Sequence, residues 1–451
     1  MSTALIVLAA GKGTRMKSDL PKVLHHIAGA PMLVHALRAG ASLEPARITV
    51  ITGHGAEDVE TAALEYDPEI VAARQEKQLG TAHAVGCART ALADHEGDAL
   101  VLYGDTPFIQ PETLERMIEA RRNHDLVVLG FEATDPGRYG RLVMQGGALE
   151  RIVEFKDATD EERAITFCNS GVIAADCETL FKLIDVVSND HASGEYYLTD
   201  IIDIARAQGL SATSIACDEA ETLGINSREE LAAAEVLFQT RMRTAAFEDG
   251  VNFYAPDSVY FAYDTVIGRD TLIEQNVVFG PGVTVESGAH IRAFSHLEGC
   301  HVARGSVVGP YARLRPGTEL SEDVRVGNFV EIKNAVLETG AKVNHLSYIG
   351  DAYLGAGANV GAGTVTCNYD GVSKHHTHIG ENAFIGSGTM LVAPARIGDD
   401  AMTASGSVIT KDVPDGALAV ARAQQDNKLG LARKLFDKLK QAKINREKGA
   451  I

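Results

Sequence analysis

Residues 267–291 read IGRDTLIEQNVVFGPGVTVESGAHI, with an apolar residue at every sixth position: Ile267, Ile273, Phe279, Val285 and Ile291. The spacing continues at Leu297, resumes after a one-residue slip, and returns later at further positions: Val308, Leu314, Leu320, Val326, Ile332, Ile379, Ile385, Leu391 and Ile397. A period of six fits neither a helix, with period 3.6, nor a half-buried strand, with period 2. Glycine directly follows many of these residues, which suits short strands joined by sharp corners. Residues 267–409 therefore predict a parallel β-helix.

Composition and length bound the class of protein. The chain has 451 residues, more than one core usually supports, so two domains are expected. Aromatic residues make up 6% with no Trp, and glycine reaches 44 residues, as small tight coils require. The formal net charge of -19 argues against a general nucleic-acid binder but allows a local phosphate pocket.

Cysteine usage and hydropathy indicate the compartment. The six cysteines are scattered without a C-x-x-C pair, so neither a zinc site nor a disulfide framework is indicated. No apolar run is long enough to span a bilayer, and the N-terminus lacks the features of a signal peptide. We expect a soluble, cytoplasmic protein without a membrane partner. Residues 428–451 carry eight basic and two acidic side chains, which we interpret as a solvated tail.

The N-terminal half alternates apolar segments with helix-like stretches. Residues 4–10 are apolar and end in Gly11-Lys12-Gly13-Thr14-Arg15; further apolar segments at 48–52, 99–103 and 126–131 alternate with stretches such as 113–123. This order predicts an α/β, Rossmann-like domain with a mostly parallel sheet. Its ligands should lie beyond the carboxyl ends of the strands.

The glycine loop is ambiguous by itself. It lacks the spacing of a P-loop and the third glycine of a dinucleotide fingerprint. Its backbone N–H groups could approach an anion, and Lys12, Arg15, Lys17 and Lys22 could neutralise phosphate charges. An ordinary strand-to-helix turn with exposed basic residues explains the loop equally well.

Two further signals lie downstream. Asp105, in Tyr103-Gly104-Asp105, follows an apolar strand and suits a Mg²⁺ ligand, although an Asx turn before Pro107 is the alternative. Gln75 and residues 78–81 (QLGT) offer amide, hydroxyl and backbone groups of the kind that read a base edge.

Together these motifs resemble a known family. Residues 8–16 (LAAGKGTRM), Pro21-Lys22, residues 78–81 and residues 103–105 are similar to the sugar-1-phosphate nucleotidyltransferases. With the six-residue repeat attached, the chain resembles, over nearly its whole length, the bacterial bifunctional family that acts as N-acetylglucosamine-1-phosphate uridylyltransferase and glucosamine-1-phosphate acetyltransferase. That resemblance implies a left-handed β-helix, UTP and acetyl-CoA as co-substrates, Mg²⁺ as cofactor, and a homotrimer.

The resemblance assigns roles to residues of the first half. Arg15 and Lys22 would contact the triphosphate, and Asp105 and Asn226 would coordinate Mg²⁺. The remaining positions would bind UTP or the UDP-sugar: Leu8, Ala9, Ala10, Gly11, Gln75, Gly80, Thr81, Tyr103, Gly104, Gly140, Glu154 and Asn169. Sugar phosphate attacks the α-phosphorus of UTP in line, so positioning and charge neutralisation are the protein's task.

A helix should join the two halves. Ser227 and Glu230 have the spacing of a capping box, and Leu231, Ala234, Phe238, Met242 and Ala245 follow at helical intervals. We expect a nucleotidyltransferase domain at 1–226, a linker helix at 227–249, and an acetyltransferase β-helix with a basic tail at 250–451. The apolar stripe is interpreted as packing.

The six-residue spacing is interrupted between Ile332 and Ile379, where polar residues cluster. Such a break marks functional loops or a tolerated insertion. The resemblance assigns His345 as the general base that deprotonates the glucosamine amine, a role suited to imidazole near neutral pH. It also implies that Arg315 and Lys333 bind the sugar phosphate and that Tyr348 and Asn359 hold the sugar. The implied acetyl-CoA contacts are Ala362, Asn368, Tyr369, Ser387, Ser405 and Arg422. Asn368 would also hold the sugar, and Ser405 stands where Ala is expected.

Residues 374–378 (KHHTH) resemble a metal site in composition, but without carboxylate partners we interpret them as a polar loop. The flat faces and edges of a β-helix favour closed cyclic assembly, consistent with the implied trimer.

The main hypothesis is acetylation of glucosamine-1-phosphate followed by uridylyl transfer from UTP to N-acetylglucosamine-1-phosphate. The product, UDP-N-acetylglucosamine, would serve peptidoglycan and lipopolysaccharide synthesis in the cell wall. The alternatives are a single-activity nucleotidyltransferase with a structural β-helix, and a non-enzymatic scaffold. Retention of Arg15, Lys22, Asp105 and Asn226 together speaks against the scaffold.

Overall fold

The computed structural model describes residues 2–190 and 194–448. Two compact units make up the chain: Met1–Ala246 with Phe261–Asp264, and Phe247–Tyr260 with Thr265–Ile451. Met1, where the predicted first domain begins, and residues 449–451, which end the predicted basic tail, lie outside the described residues.

The first unit contains a sheet with the strand order β11-β7-β10-β6-β1-β4-β5, to which the β8-β9 hairpin is attached through β10. The strands of this unit are β1 (Ser2–Leu8), β2 (His26–Ile27), β3 (Ala30–Pro31), β4 (Arg47–Thr52), β5 (Val71–Arg74), β6 (Gly97–Tyr103), β7 (Leu126–Glu132), β8 (Arg141–Gln145), β9 (Ala148–Val153), β10 (Phe167–Asp176) and β11 (Ala212–Cys217). Its helices are α1 (Met32–Ala41), α2 (Ala56–Tyr66), α3 (Thr81–Gly86), α4 (Pro111–Arg121), α5 (Asp160–Arg163), α6 (Cys177–Ile184) and α7 (Ile201–Ala207).

β1 is apolar along its length because both of its faces are covered. Ile6 and Leu8 point into one core cluster, and Leu5 and Val7 point into the other. β1 pairs in parallel with β4 on one side and β6 on the other. The predicted α/β architecture is confirmed. Because the chain leaves β1 in one direction and returns on its other side at β6, a crevice opens beyond its carboxyl end.

Helix α8 (Arg228–Glu248) begins with the capping box expected from the sequence. The Ser227 hydroxyl accepts the Glu230 N–H at 3.2 Å, and the Glu230 carboxylate accepts the Ser227 N–H at 3.1 Å. Leu231 and Phe238 pack against a cluster of the first unit that includes Ile27, Met32 and Phe108, and Ala234 is buried there. The apolar stripe of this helix is therefore packing.

The second unit is a parallel β-helix of short strands. These are β12 (Asn252–Phe253), β13 (Val266–Ile267), β14 (Leu272–Ile273), β15 (Val278–Phe279), β16 (Val283–Val285), β17 (His290–Ile291), β18 (His296–Leu297), β19 (Cys300–Val302), β20 (Val307–Val308), β21 (Arg313–Leu314), β22 (Thr318–Leu320), β23 (Arg325–Asn328), β24 (Glu331–Leu337), β25 (Lys342–His345), β26 (Tyr348–Leu354), β27 (Asn359–Val360), β28 (Val365–Cys367), β29 (Thr377–Ile379), β30 (Phe384–Ile385), β31 (Met390–Val392), β32 (Ala395–Ile397), β33 (Met402–Thr403), β34 (Val408–Ile409) and β35 (Leu418–Ala419). One helix, α9 (Leu431–Lys448), follows them.

The six-residue pattern is the inward face of these coils. Ile273, Phe279, Val285, Ile291 and Leu297 are all at most 2% exposed, whereas Ile267 in the first coil is only partly buried. Successive coils approach so closely that a Cβ on Gly327 would lie 2.0 Å from the Asn344 carbonyl oxygen, which explains the glycine there. The predicted β-helix is confirmed.

The break predicted between Ile332 and Ile379 is smaller than expected. Inward side chains continue through it at spacings of five or six residues: Ile332, Leu337, Val343, Ile349, Leu354, Val360 and Thr366, each at most 3% exposed. Two sides close in five residues, from Ile332 to Leu337 and from Ile349 to Leu354, and each has a left-handed residue at its corner: Asn334 (φ 44°) and Asp351 (φ 50°). Only residues 368–376, between β28 and β29, form an inserted loop.

The tail is helical at α9, and its described side chains, residues 431–447, are exposed. Within the described residues, no helix combines the length and apolar character that a membrane-spanning segment needs.

Candidate active sites

A cavity of about 410 Å³ lies at the carboxyl ends of β1, β5 and β6 in the first unit. Twelve of the residues predicted for the first site line it: Leu8, Ala9, Ala10, Gly11, Arg15, Lys22, Gln75, Gly80, Thr81, Tyr103, Asp105 and Asn226. Gly104, Gly140, Glu154 and Asn169 do not line this cavity. The crevice expected from the sheet topology is thus formed by residues that the motifs had singled out.

Lys22 contacts side-chain oxygens of both Asp105 and Asn226. Its ammonium group is ion-paired with the Asp105 carboxylate and donates to Asn226 Oδ1 at 2.6 Å. A Cβ on Gly13 would lie 2.5 Å from Lys22 Cβ, so the glycine loop packs directly against this side chain. Both oxygens therefore face one cation, and a carboxylate and an amide oxygen are donors of the kind that could hold Mg²⁺.

Gln75 and Gly80 shape the opposite wall. Gln75 is 5% exposed, and its Nε2 donates to the Gly80 carbonyl at 3.0 Å and to His83 Nδ1 at 2.9 Å. Gly80 has φ 115°, and a Cβ there would lie 2.4 Å from the Tyr196 carbonyl oxygen. Only glycine fits, since Tyr196 also hydrogen-bonds Leu79 and Ala82 through its backbone.

Gly140, Glu154 and Asn169 form a group of their own. The Asn169 N–H donates to the Gly140 carbonyl at 2.8 Å, and a Cβ on Gly140 would lie 3.5 Å from Glu154 Oε1. Tyr103 connects this group to the cavity: burial, followed by the charges of Asp105 and Glu154, raises its pKa, so the phenol is neutral. Gly104 donates its N–H to the Leu8 carbonyl at 2.9 Å and joins the ends of β1 and β6.

Arg141 holds the loop that carries Gly140. It is 2% exposed, and its guanidinium donates to backbone carbonyls of the loop: those of Pro136 at 3.2 Å, Gly137 at 3.1 Å and Tyr139. No carboxylate of the described residues forms an ion pair with it. This buried cation therefore fixes backbone geometry next to the group formed by Gly140, Glu154 and Asn169.

Sequence reasoning missed Glu195 and Tyr197, which also line the cavity. Both come from the segment whose Tyr196 backbone pairs with Leu79 and Ala82. Nothing local in the sequence indicates this, because the contact joins segments more than a hundred residues apart.

In the second unit, a column of predicted residues runs along the coils. Asn328 is the register partner of His345, and continuing the register of β25, β27, β30 and β33 gives Ala362, Ser387 and Ser405 on the next coils. Backbone hydrogen bonds follow the same line, from Gly388 N–H to the Ala362 carbonyl at 2.7 Å and from Gly406 N–H to the Ser387 carbonyl at 2.8 Å. Arg422 extends it by donating to the Ser405 carbonyl at 3.0 Å.

His345 is exposed at one end of this column. Its Nδ1 lies 2.9 Å from Asn328 Oδ1, an oxygen that can only accept. In this arrangement Nδ1 carries the hydrogen, so Nε2 is the nitrogen that has the lone pair when the ring is neutral. This is the tautomer that a general base acting through Nε2 needs.

The predicted sugar-phosphate residues lie on neighbouring coils. Arg315 is ion-paired with Glu331 at 2.9 Å, and Lys333 is the register partner of Gly350. A Cβ on Gly350 would lie 2.4 Å from Tyr348 Oη and 2.9 Å from Asn368 Nδ2, so these two side chains share one neighbourhood. Asn359 lies on β27, three residues before Ala362 in the column.

Lys374 is a further residue to which the sequence assigned no role in this site. Its contact with Lys333, first through a side-chain hydrogen bond and then through charge repulsion, lowers its pKa. Two ammonium groups placed together create a strong preference for an anion such as phosphate. The signal was the lysine of the KHHTH stretch, which cannot be paired with Lys333 without the fold.

The remainder of the 368–376 loop is held by its own contacts. His375 Nε2 lies 2.7 Å from Asp370 Oδ2, so the expectation that these histidines lack carboxylate partners is wrong for His375, which folds back onto the Asp370 turn. The described residues contain no group of three His, Cys, Asp or Glu side chains able to hold a metal. Tyr369, 60% exposed, donates to the Gly371 carbonyl at 2.6 Å.

Comparison with known proteins agrees with both units. The family described as "MobA-like NTP transferase domain" matches residues 5–169, and "Bacterial transferase hexapeptide (six repeats)" matches residues 264–299 and 376–411. A "Bifunctional protein GlmU" from Ruegeria sp. (strain TM1040) is 67% identical over 449 residues, covering 100% of both chains. A protein of the same name from Ruegeria pomeroyi is 69% identical and covers 99% of this chain and 100% of the relative. Another, from Cereibacter sphaeroides (strain ATCC 17025 / ATH 2.4.3), is 66% identical and covers 99% of each chain. The chain therefore belongs to the family of bifunctional GlmU proteins.

Proposed function

We propose that this chain makes UDP-N-acetylglucosamine in two steps. Acetyl-CoA first acetylates glucosamine-1-phosphate, and UTP then transfers its uridylyl group to N-acetylglucosamine-1-phosphate with release of pyrophosphate. Membership of a family named for two functions supports this reading. The observation that carries it is the column headed by His345, because a purely structural β-helix has no need of an exposed imidazole held by a neighbouring amide.

In uridylyl transfer, a phosphate oxygen of the sugar attacks the α-phosphorus of UTP. An oxygen–phosphorus bond forms, the bond to the pyrophosphate breaks, and no strong base is needed. Arg15 and Lys22 supply positive charge to the phosphates, and Gln75, Gly80 and Thr81 orient the nucleoside. Asp105 and Asn226 would hold Mg²⁺, which neutralises charge developing on the phosphate oxygens when bound. Gly140, Glu154 and Asn169 would bind the amino sugar.

In acetyl transfer, the amine of glucosamine-1-phosphate attacks the thioester carbonyl. The nitrogen–carbon bond forms, the carbon–sulfur bond breaks, and the amine proton passes to His345 Nε2 while CoA leaves. Lys333, Lys374 and Arg315 would bind the sugar phosphate, and Tyr348, Asn359 and Asn368 would hold the sugar. The column from Ala362 to Ser405, with Tyr369 and Arg422, would contact acetyl-CoA along the coils.

The proposal extends to organisation and assembly. Residues 1–226 would perform uridylyl transfer and residues 250–451 acetyl transfer, with 227–249 joining them. A homotrimer is supported by a column of exposed aromatic rings on the β-helix, Phe294, Tyr311 and Phe329, stacked at centroid distances of 4.8 and 5.2 Å. Exposed apolar surface of this kind is typical of interfaces between subunits. The substrates are soluble metabolites, so we place the reaction in the cytoplasm.

Paired substitutions test the two activities separately. His345→Ala should lower CoA release from acetyl-CoA and glucosamine-1-phosphate by about 100- to 10,000-fold, because the general base is lost. Pyrophosphate release from UTP and N-acetylglucosamine-1-phosphate should be unchanged in this variant. Asp105→Ala should lower pyrophosphate release by roughly 100-fold or more and leave CoA release intact.

The control for His345→Ala is His376→Ala, which removes an exposed histidine outside the column and should retain both activities. Wild-type protein that releases pyrophosphate but never CoA would establish the alternative, a single-activity nucleotidyltransferase with a structural β-helix.

A further inference from the structure

One corner of the β-helix carries a column of polar residues beside the acetyl-transfer site. Gly317, Asn334, Asp351 and Asn368 lie on successive coils, flanked by the register pairs Thr318–Ala335, Lys333–Gly350 and Tyr348–Val365. Asn334 and Asp351 have φ of 44° and 50°, a region that Asn and Asp tolerate better than other residues with side chains. Gly317 leaves room for Asn334, since a Cβ there would lie 3.0 Å from Asn334 Oδ1. The corner is thus shaped to bring these side chains together.

Asp351 is the centre of this column. It is 7% exposed, and each of its carboxylate oxygens accepts one amide hydrogen bond: Oδ1 from Asn334 Nδ2 at 2.7 Å and Oδ2 from Asn368 Nδ2. Asn368 is itself only 9% exposed. A buried carboxylate with both oxygens satisfied by donors is a fixed acceptor that leaves its neighbours no choice of orientation.

The surrounding charges keep Asp351 ionised. Burial by itself would raise its pKa, but hydrogen bonds from Asn334 and Asn368 and the nearby Lys333 and Lys374 more than offset burial, so the net pKa is lowered. An ionised carboxylate has no hydrogen to donate. Asn368 must therefore turn Nδ2 towards Asp351, so that Oδ1, the acceptor of that amide, is turned away from the carboxylate.

We propose that Asp351 is a positioning residue for acetyl transfer, which fixes the Asn368 amide so that its acceptor oxygen is turned away from Asp351 and towards the amino sugar. The amine and hydroxyl groups of glucosamine-1-phosphate are donors that such an oxygen accepts. The proposal rests on the acetyl-transfer function proposed above and concerns its sugar site.

Substitution of Asp351 by Asn separates orientation from shape. Asn334 and Asn368 both donate an Nδ2 hydrogen to position 351. An amide introduced there can accept from only one of them, because its other end is a donor, so its nitrogen must face the nitrogen of the other neighbour. Where the facing nitrogen is that of Asn368, the conflict is relieved if the Asn368 amide turns over. Its Oδ1 then faces position 351, and its Nδ2 faces the sugar. We expect Asp351→Asn to raise the KM for glucosamine-1-phosphate and to lower kcat/KM for acetyl transfer by about 10- to 100-fold.

A double variant that exchanges the residues at positions 334 and 351 provides the decisive test. In Asn334→Asp/Asp351→Asn, the new carboxylate at position 334 accepts from Nδ2 at position 351, and Oδ1 at position 351 again accepts from Asn368 Nδ2. This restores the orientation of Asn368 while it moves the negative charge one coil away from the sugar site. We expect the double variant to recover most of the kcat/KM that Asp351→Asn loses.

The measurement is the steady-state rate of CoA release at varied glucosamine-1-phosphate, with thermal unfolding and pyrophosphate release measured for the same full-length proteins. Unchanged kinetics in Asp351→Asn would overturn the proposal. So would a folded double variant that remains as impaired as Asp351→Asn, because the loss would then follow charge or packing. If the wild-type protein releases no CoA, the proposed acetyl transfer fails and this inference fails with it.

Discussion

At the residue scale, several side chains of the two sites have their hydrogen-bonding state fixed by a neighbour. Asn328 determines which nitrogen of His345 carries the hydrogen, and Gln75 uses Nε2 on Gly80 and His83. Side chains fixed in this way need little reorganisation during reaction, which is how electrostatic catalysis gains most of its effect.

The His345–Asn328 contact gives a prediction at this scale. Asn328→Leu removes the acceptor for Nδ1–H, so the ring can adopt the tautomer whose Nε2 carries the hydrogen and cannot act as a base. We expect kcat for acetyl transfer to fall by about 10- to 100-fold, a part of what a general base contributes. Asn328→Asp retains an acceptor and should stay close to the wild type. Wild-type kcat in folded Asn328→Leu would show that Asn328 does not determine the tautomer.

At the element scale, short caps hold the segments around the first site. Thr159 and Glu162 form a capping box on α5, with bonds from the Thr159 N–H and hydroxyl to the Glu162 carboxylate at 2.8 and 2.9 Å. Arg151 on β9 is ion-paired with the same carboxylate. The cap therefore ties α5 to the strand that leads to Glu154.

This cap predicts a pH dependence. The Thr159 N–H, followed by Arg151 and the Thr159 hydroxyl, lowers the pKa of Glu162 from 4.5 to about 2. A carboxyl whose pKa is depressed on folding stabilises the protein above its unfolded value, and this contribution is lost as pH falls from 4.5 towards 2. Glu162→Gln should lower the melting temperature of the first unit by about 1–3 °C at pH 7. The difference from wild type should shrink at pH 3, and a difference that grew there would contradict the assignment.

Elements with strong periodicity could be predicted from the sequence, whereas the contacts between distant elements could not. The inward residues of the β-helix follow their six-residue spacing because each coil repeats one backbone path. The five-residue sides near Asn334 and Asp351 escaped prediction, since a left-handed corner at Asn or Asp leaves no apolar signal. Lys374 and Glu195 were missed for a related reason: Lys374 meets Lys333 of β24, and Glu195 reaches the cavity from a segment more than a hundred residues away from Leu79.

At the scale of the whole molecule, two units carry two unrelated kinds of site on one chain. The first has a crevice lined by Arg15 and Lys22 at a switch point of a doubly covered sheet, and the second has a column of side chains repeated along a β-helix. Their chemistry is complementary, because the product of acetyl transfer is the acceptor for uridylyl transfer. The central claim is that one protein performs both steps in that order.

The most direct test supplies wild-type protein with Mg²⁺, glucosamine-1-phosphate, acetyl-CoA and UTP, and follows CoA and pyrophosphate together. CoA should appear first and pyrophosphate after a lag, with equal final amounts, and omission of acetyl-CoA should abolish pyrophosphate release. Pyrophosphate formed at full rate without acetyl-CoA, or CoA release that never occurs, would contradict the two-step account.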